Sequence, residues 1–113
     1  MKIILYAKSS DGINCYEVAF KNREGIISIK CDCPAGELTK LCRHKLALIR
    51  GDAAILYDNS QNSEFITIKE WIRASPFAQL ILDHDSIENE IQKKQRELKK
   101  IKEVIEVAMR KGV

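Results

Sequence analysis

Residues 26–51 read IISIKCDCPAGELTKLCRHKLALIRG, and the order of residue types in this stretch decides the architecture around it. Ile26 to Lys30 is an apolar, isoleucine-rich run that suits a strand. It delivers Cys31-x-Cys33, and side chains two apart on a strand point the same way, so both thiols can face one ion. Pro34 restricts Cys33 to an extended or turn conformation, and Ala35-Gly36 lets the chain bend away. After eight intervening residues, Cys42-x-His44 opens a second stretch. From Cys42 to Gly51 it reads as a helix with Leu46 and Ile49 on one face, and Gly51 suits the left-handed position past its end. Three thiols and one imidazole within fourteen residues supply the four N/S ligands of a closed tetrahedral Zn²⁺ site: Cys31, Cys33, Cys42 and His44. Such a site has no open position for water, so one structural Zn²⁺ per chain is expected.

The spacing Cys-x-Cys, a gap, then Cys-x-His resembles that of the SWIM-type zinc finger family. The strand 26–30 running into Cys31, the Pro34-Ala35 after Cys33 and the apolar helix opened by His44 fit the same pattern. The resemblance covers about residues 26–51 and implies a ββα module. It also implies a role in DNA binding or protein interaction, as in the helicase-like ATPases, transposases, ubiquitin ligases and recombination-accessory proteins that carry such fingers.

The chain has 113 residues and a formal net charge of +3, room for one domain and hardly two. The charge is unevenly spread. Between Ser28 and Gly51, Lys30, Lys40, Arg43, Lys45 and Arg50 stand against Asp32 and Glu37, a local +3. Residues 52–85 carry a local −4, and residues 86–113 return to +3. Four cysteines could form two disulfides, but Ile3-Ile4-Leu5-Tyr6-Ala7 is far too short for a signal h-region and no transmembrane run is present. An intracellular setting (cytoplasm, nucleoid or nucleus), with no membrane partner, is the expectation, and clustered cysteines there read as metal ligands. Cys15 is left over and reads as a buried, inert thiol on a strand with Tyr16, Val18 and Phe20.

Residues 2–8 and 13–21 are strand-like and joined by Ser9-Ser10-Asp11-Gly12, a hairpin signal. A second turn, Asn22 to Gly25, leads into the strand 26–31. Asp52 can cap a short turn from Ala53 to Tyr57, and Asp58 to Ser63 reads as a polar loop. Thr67-x-x-Glu70 has the capping-box pattern and would start a helix through Trp71 and Ile72. Ser75-Pro76 restarts it, with Trp71, Phe77, Leu80 and Ile81 packing on the sheet. Asp85-x-x-Glu88 then caps a long helix. In it Ile87, Ile91, Lys94, Leu98, Ile101, Ile105 and Ala108 alternate steps of four and three, the seam of a coiled coil with one polar interruption. That stripe must meet another chain, as a homodimer through residues 85–111, or fold back on its own domain. The class is therefore α+β: a small antiparallel meander with a ββα finger, then helices. The expected domains are a zinc-containing unit, 1–83, and a helical arm, 84–113.

No phosphate-binding loop, nucleophile elbow or second ligand cluster is present in the sequence, so an enzyme is not expected. His84, between Asp83 and Asp85, reads as an exposed neighbour of a helix start. Lys40, Arg43 and Lys45 bracket Cys42 and His44 at a helix N-terminus, with Arg50 further along, and are the candidate phosphate contacts. The helix after His44 is mostly Leu, Ala and Ile, which gives no base-specific readout. Two function classes follow. One is a non-catalytic accessory protein that binds nucleic-acid backbone, DNA above all, through the finger and associates through the arm. The other is an adaptor or inhibitor of a larger protein partner, in which zinc only staples the fold.

Overall fold

The computed structural model describes residues 1–112, and its contacts divide the chain between Ile81 and Leu82. In the first unit, β1 (Lys2–Lys8), β2 (Cys15–Arg23) and β3 (Ile26–Cys31) form an antiparallel meander in that order. The β2–β3 turn has two central residues, Glu24 at φ 54° and Gly25 at φ 86°, the pair of positive angles whose twist matches that of the flanking strands. The longer β1–β2 loop is held by Asp11. Its carboxylate accepts from the Ile13 and Asn14 amides at 2.8 and 3.0 Å and from the Ser9 hydroxyl.

Register decides what the sheet buries. Leu5 pairs with Val18 and Val18 with Cys31, while Ile3 pairs with Phe20 and Phe20 with Ile29. One face therefore carries Leu5, Ala7, Val18, Phe20 and Cys31, all buried. Against this face lie Leu48 from α2 (Arg43–Arg50) and Phe65, Ile68 and Ile72 from α3 (Asn62–Arg73), with Ile55 and Leu56 between them. Leu5, Val18, Phe20, Leu48 and Ile68 are fully enclosed, each worth ~1.5–3 kcal/mol of burial. Cys15 has the opposite parity from Tyr16, Val18 and Phe20 and is exposed, which corrects the expectation of a buried thiol.

The outer edge of β1 is closed by residues far along the chain. Gln61 accepts from the Tyr6 amide and donates to the Ile4 carbonyl, both at 2.8 Å, and the Tyr57 amide donates to Tyr6 O at 2.8 Å. An uncovered strand edge would offer these groups to other chains.

Three helical expectations are corrected. Residues 58–63 are not a loop: a 3-10 turn occupies Asn59–Gln61 with Asp58 as its cap, and α3 starts at Asn62. Thr67 is thus inside α3, because the apolar period Phe65, Ile68, Ile72 reaches the core only if the helix begins before it. Trp71 and Phe77 pack partly against the core, whereas Leu80 is exposed. The last helix does not wait for Asp85. α4 runs from Phe77 to Lys111, with the Ser75 hydroxyl accepting from the Phe77 amide at 3.3 Å. Ser-Pro at the start was sufficient, and nothing between residues 77 and 85 breaks a helix. The second unit, from Leu82 onward, consists of the rest of α4. On it Ile87, Ile91, Leu98, Ile101 and Ile105 are each more than half exposed. Among the described residues no helix is long and apolar enough to cross a membrane.

Candidate metal centre

Four donor groups converge at the exit of the sheet. Cys31 ends β3. Asp32 turns the chain, with its carboxylate accepting from the Glu17 amide at 2.9 Å. Cys33, extended at φ −68° and ψ 162°, caps a single helical turn, α1 (Pro34–Glu37), whose first residue is the proline. Cys42, extended at φ −106° and ψ 167°, caps α2, and Gly51 ends that helix at φ 79°. The face that α2 buries centres on His44, Lys45 and Leu48, with Leu46 and Ile49 only partly covered, a rotation from the face expected.

The two capping cysteines use their sulfurs as cap acceptors. Cys33 Sγ takes the Gly36 amide and Cys42 Sγ takes the Lys45 amide, each at 3.3 Å. Both sulfurs therefore sit at helix N-termini, where backbone N–H groups otherwise lack partners. Gly36 is required for a steric reason: a Cβ there would lie 2.7 Å from Cys31 Cβ and closer still to the Cys31 carbonyl oxygen.

Cys31, Cys33, Cys42 and His44 are all buried, and their donor atoms lie within 4.8 Å of one another. His44 Nδ1 is 3.7 Å from Cys31 Sγ. Bonds of the usual Zn–S and Zn–N lengths meeting at a tetrahedral angle would separate S and N by about 3.6 Å. His44 Nε2 is buried without a hydrogen-bond partner. An imidazole buried beside three thiols, with Nδ1 facing the Cys31 sulfur and Nε2 unpartnered, fits a metal ligand better than a core histidine, because an unmet buried polar atom is costly. The residues present fit a single metal ion, and the soft sulfur-rich donor set suits zinc.

The electrostatics agree with that chemistry. Burial pushes the Cys31 thiol up to about 12. Burial acts the same way on Cys33, but the Gly36 amide, the neighbouring thiols and the Ala35 amide outweigh it and lower its pKa. Burial, and then the Arg43 charge, hold His44 below the usual histidine value, in its neutral ligating form; the Lys8 carbonyl and Asp32 pull weakly the other way. Collecting three thiolates without a cation would be expensive.

Some residues around the site were not foreseen. The Tyr16 ring packs on His44 with centroids 4.9 Å apart at 50°, and its place on the Val18 face was the available signal. Arg43 is exposed, but its guanidinium donates to the Lys8 carbonyl at 3.0 Å. Lys45 is buried and its ammonium donates to the Lys40 carbonyl at 2.9 Å. Arg43 thus ties the start of α2 to the end of β1, and Lys45 ties α2 to the segment just before it. Lys40 and Arg50 are exposed. A second group, His84, Asp85 and Glu88, lies within α4 and not at a helix start, with His84 Nδ1 3.0 Å from Asp85 and 3.7 Å from Glu88. His84 and Asp85 are partly buried, Glu88 is exposed, and the three side chains pair with one another. The chain matches no protein-family model, no curated protein and no solved structure.

Proposed function

We propose that this chain is a non-catalytic zinc protein that works by association, with a SWIM-like finger as the staple of its folded unit and α4 as its contact arm. One observation carries the reading: the stripe Ile87, Ile91, Leu98, Ile101 and Ile105 is exposed along a continuous helix. Burying such a side chain is worth ~1.5–3 kcal/mol, so a covering surface on another chain would be strongly favoured. The finger assignment is supported by the order of β2, β3 and α2 around Cys-x-Cys and Cys-x-His. Three thiolates and an imidazole complete a tetrahedral shell, and the ion's role is to join the end of β3 to the start of α2. Zinc binding to finger peptides is worth ~10–16 kcal/mol, comparable with the ~5–15 kcal/mol net stability of a whole domain.

A second reading, contact with nucleic-acid backbone, draws on exposed cations. Lys93, Lys94, Arg96, Lys99, Lys100 and Lys102 crowd ten residues of α4 against Glu97 alone, and Lys40, Arg43 and Arg50 surround the finger. The burial of Lys45 thins that second patch.

Sedimentation of the zinc-loaded chain, with and without the pair Ile101→Asp and Ile105→Asp, tests the first reading. The wild type should self-associate or bind its partner through the apolar seam, and the variant should not, with zinc content unchanged. Oligonucleotide binding that falls steeply with salt and survives the two Asp substitutions would favour the second reading instead.

A further inference from the structure

The seam on α4 has a register, and its charges discriminate between partners. Taking Ile87, Lys94, Ile101 and Ala108 as one seam position and Ile91, Leu98 and Ile105 as the other, Glu90, Glu97, Val104 and Lys111 line one flank. Glu88, Gln95, Lys102 and Met109 line the opposite flank. All these residues lie within α4.

We propose that the arm pairs with a second copy of itself in antiparallel orientation, Leu98 of one chain facing Ile101 of the other. This rests on the reading that the arm associates, and adds the partner and its direction. A parallel pair would set the two Lys94 ammoniums against each other in one seam layer, like charges desolvated together. The antiparallel pair removes that conflict. Lys94 instead faces Ile105 of the second copy, its aliphatic stem covering apolar surface and its ammonium reaching solvent. In the same register Ile91 meets Ala108 of the second copy. One flank then brings Glu90 against Lys111 of the second copy, twice by symmetry, and Glu97 against Val104. The other flank sets Glu88 against Met109 and Gln95 against Lys102. No flanking pair is like-charged. The parallel register, in contrast, uses Glu97 with Lys102 and leaves Glu90 opposite Gln95.

The two orientations therefore depend on different glutamates. Sedimentation equilibrium of the full zinc-loaded chain at low salt reads the dimer constant for the wild type and for Glu90→Lys, Glu97→Lys and the double variant Glu90→Lys with Lys111→Glu. Glu90→Lys should weaken the dimer on the order of tenfold, since it turns two attractive pairs repulsive. Adding Lys111→Glu should restore it, and Glu97→Lys should change it little. A dimer weakened by Glu97→Lys and indifferent to Glu90→Lys is parallel and overturns this inference while leaving association through the arm intact. Failure of Lys111→Glu to rescue Glu90→Lys overturns the register. A wild type that remains monomeric at high micromolar concentration overturns the self-pairing.

Discussion

Cys31 Sγ and His44 Nδ1 stand 3.7 Å apart, one candidate ligand from the last residue of a strand and the other from the first turn of a helix. That closeness brings together two elements joined in sequence by an eleven-residue passage with a single short helix, residues 32–42. The geometry of the candidate centre is therefore a property of the sheet and α2 together.

Replacing Cys42 with Ser should remove the metal while keeping an acceptor for the Lys45 amide at the helix cap. Native mass spectrometry should show zinc stoichiometry falling from one ion to none. Circular dichroism should show loss of structure in the first unit, because the ion's contribution is comparable with total domain stability. A folded variant that retains one zinc, or Cys15 supplying the missing ligand, would remove the assignment.

Gly36→Ala tests the same site without touching a ligand. The new methyl would overlap the Cys31 backbone and Cβ, so Cys31 must move. Zinc affinity, measured by competition with a chelating dye, should drop by at least tenfold, in keeping with the sensitivity of metal sites to their supporting groups. An unchanged affinity would mean that the α1 turn yields freely.

Lys45→Met keeps the length of the buried stem and removes the ammonium that the Lys40 carbonyl accepts. The expected loss is about 1–2 kcal/mol, the range for a hydrogen bond from a charged donor at a partly covered site. It should appear in thermal melts with zinc content preserved. A melting curve identical to wild type would show that the hydrogen bond to Lys40 adds nothing to stability.

Asp11 gives a pH signature. Hydrogen bonds from Ser9, Asn14 and Ile13 hold its carboxyl well below its ordinary value of 3.8. A depressed folded-state pKa stabilises the native chain fully above the unfolded value, and that contribution fades as pH falls from about 3.8 toward the folded value. Asp11→Asn should therefore be less stable than wild type at pH 6, with the gap closing as pH falls from 4 to 2 in acid denaturation series. A gap independent of pH would show that the loop is held by its backbone alone.

Local pattern was enough to read the elements whose cause is local. The strands follow from apolar β-branched runs, the 24–25 turn from its glycine, the buried Cys/His cluster from Cys-x-Cys and Cys-x-His, and the apolar stripe of α4 from its four-three period. Each depends on residues that are neighbours along the chain, so the sequence by itself determined the α+β class and the composition of the candidate metal site. Other features depend on long-range packing. Cys15 is exposed because the register of β2 against β1 sends Val18 and Phe20 to the core and their alternates outward. Lys45 is buried because α2 turns His44 and Leu48 toward the sheet and carries its neighbour with them. Gln61 closes the β1 edge across more than fifty residues of chain, a pairing no local pattern announces. Only the tertiary structure decided these three, since parity, helix rotation and edge closure are set by which surfaces meet once the chain is folded.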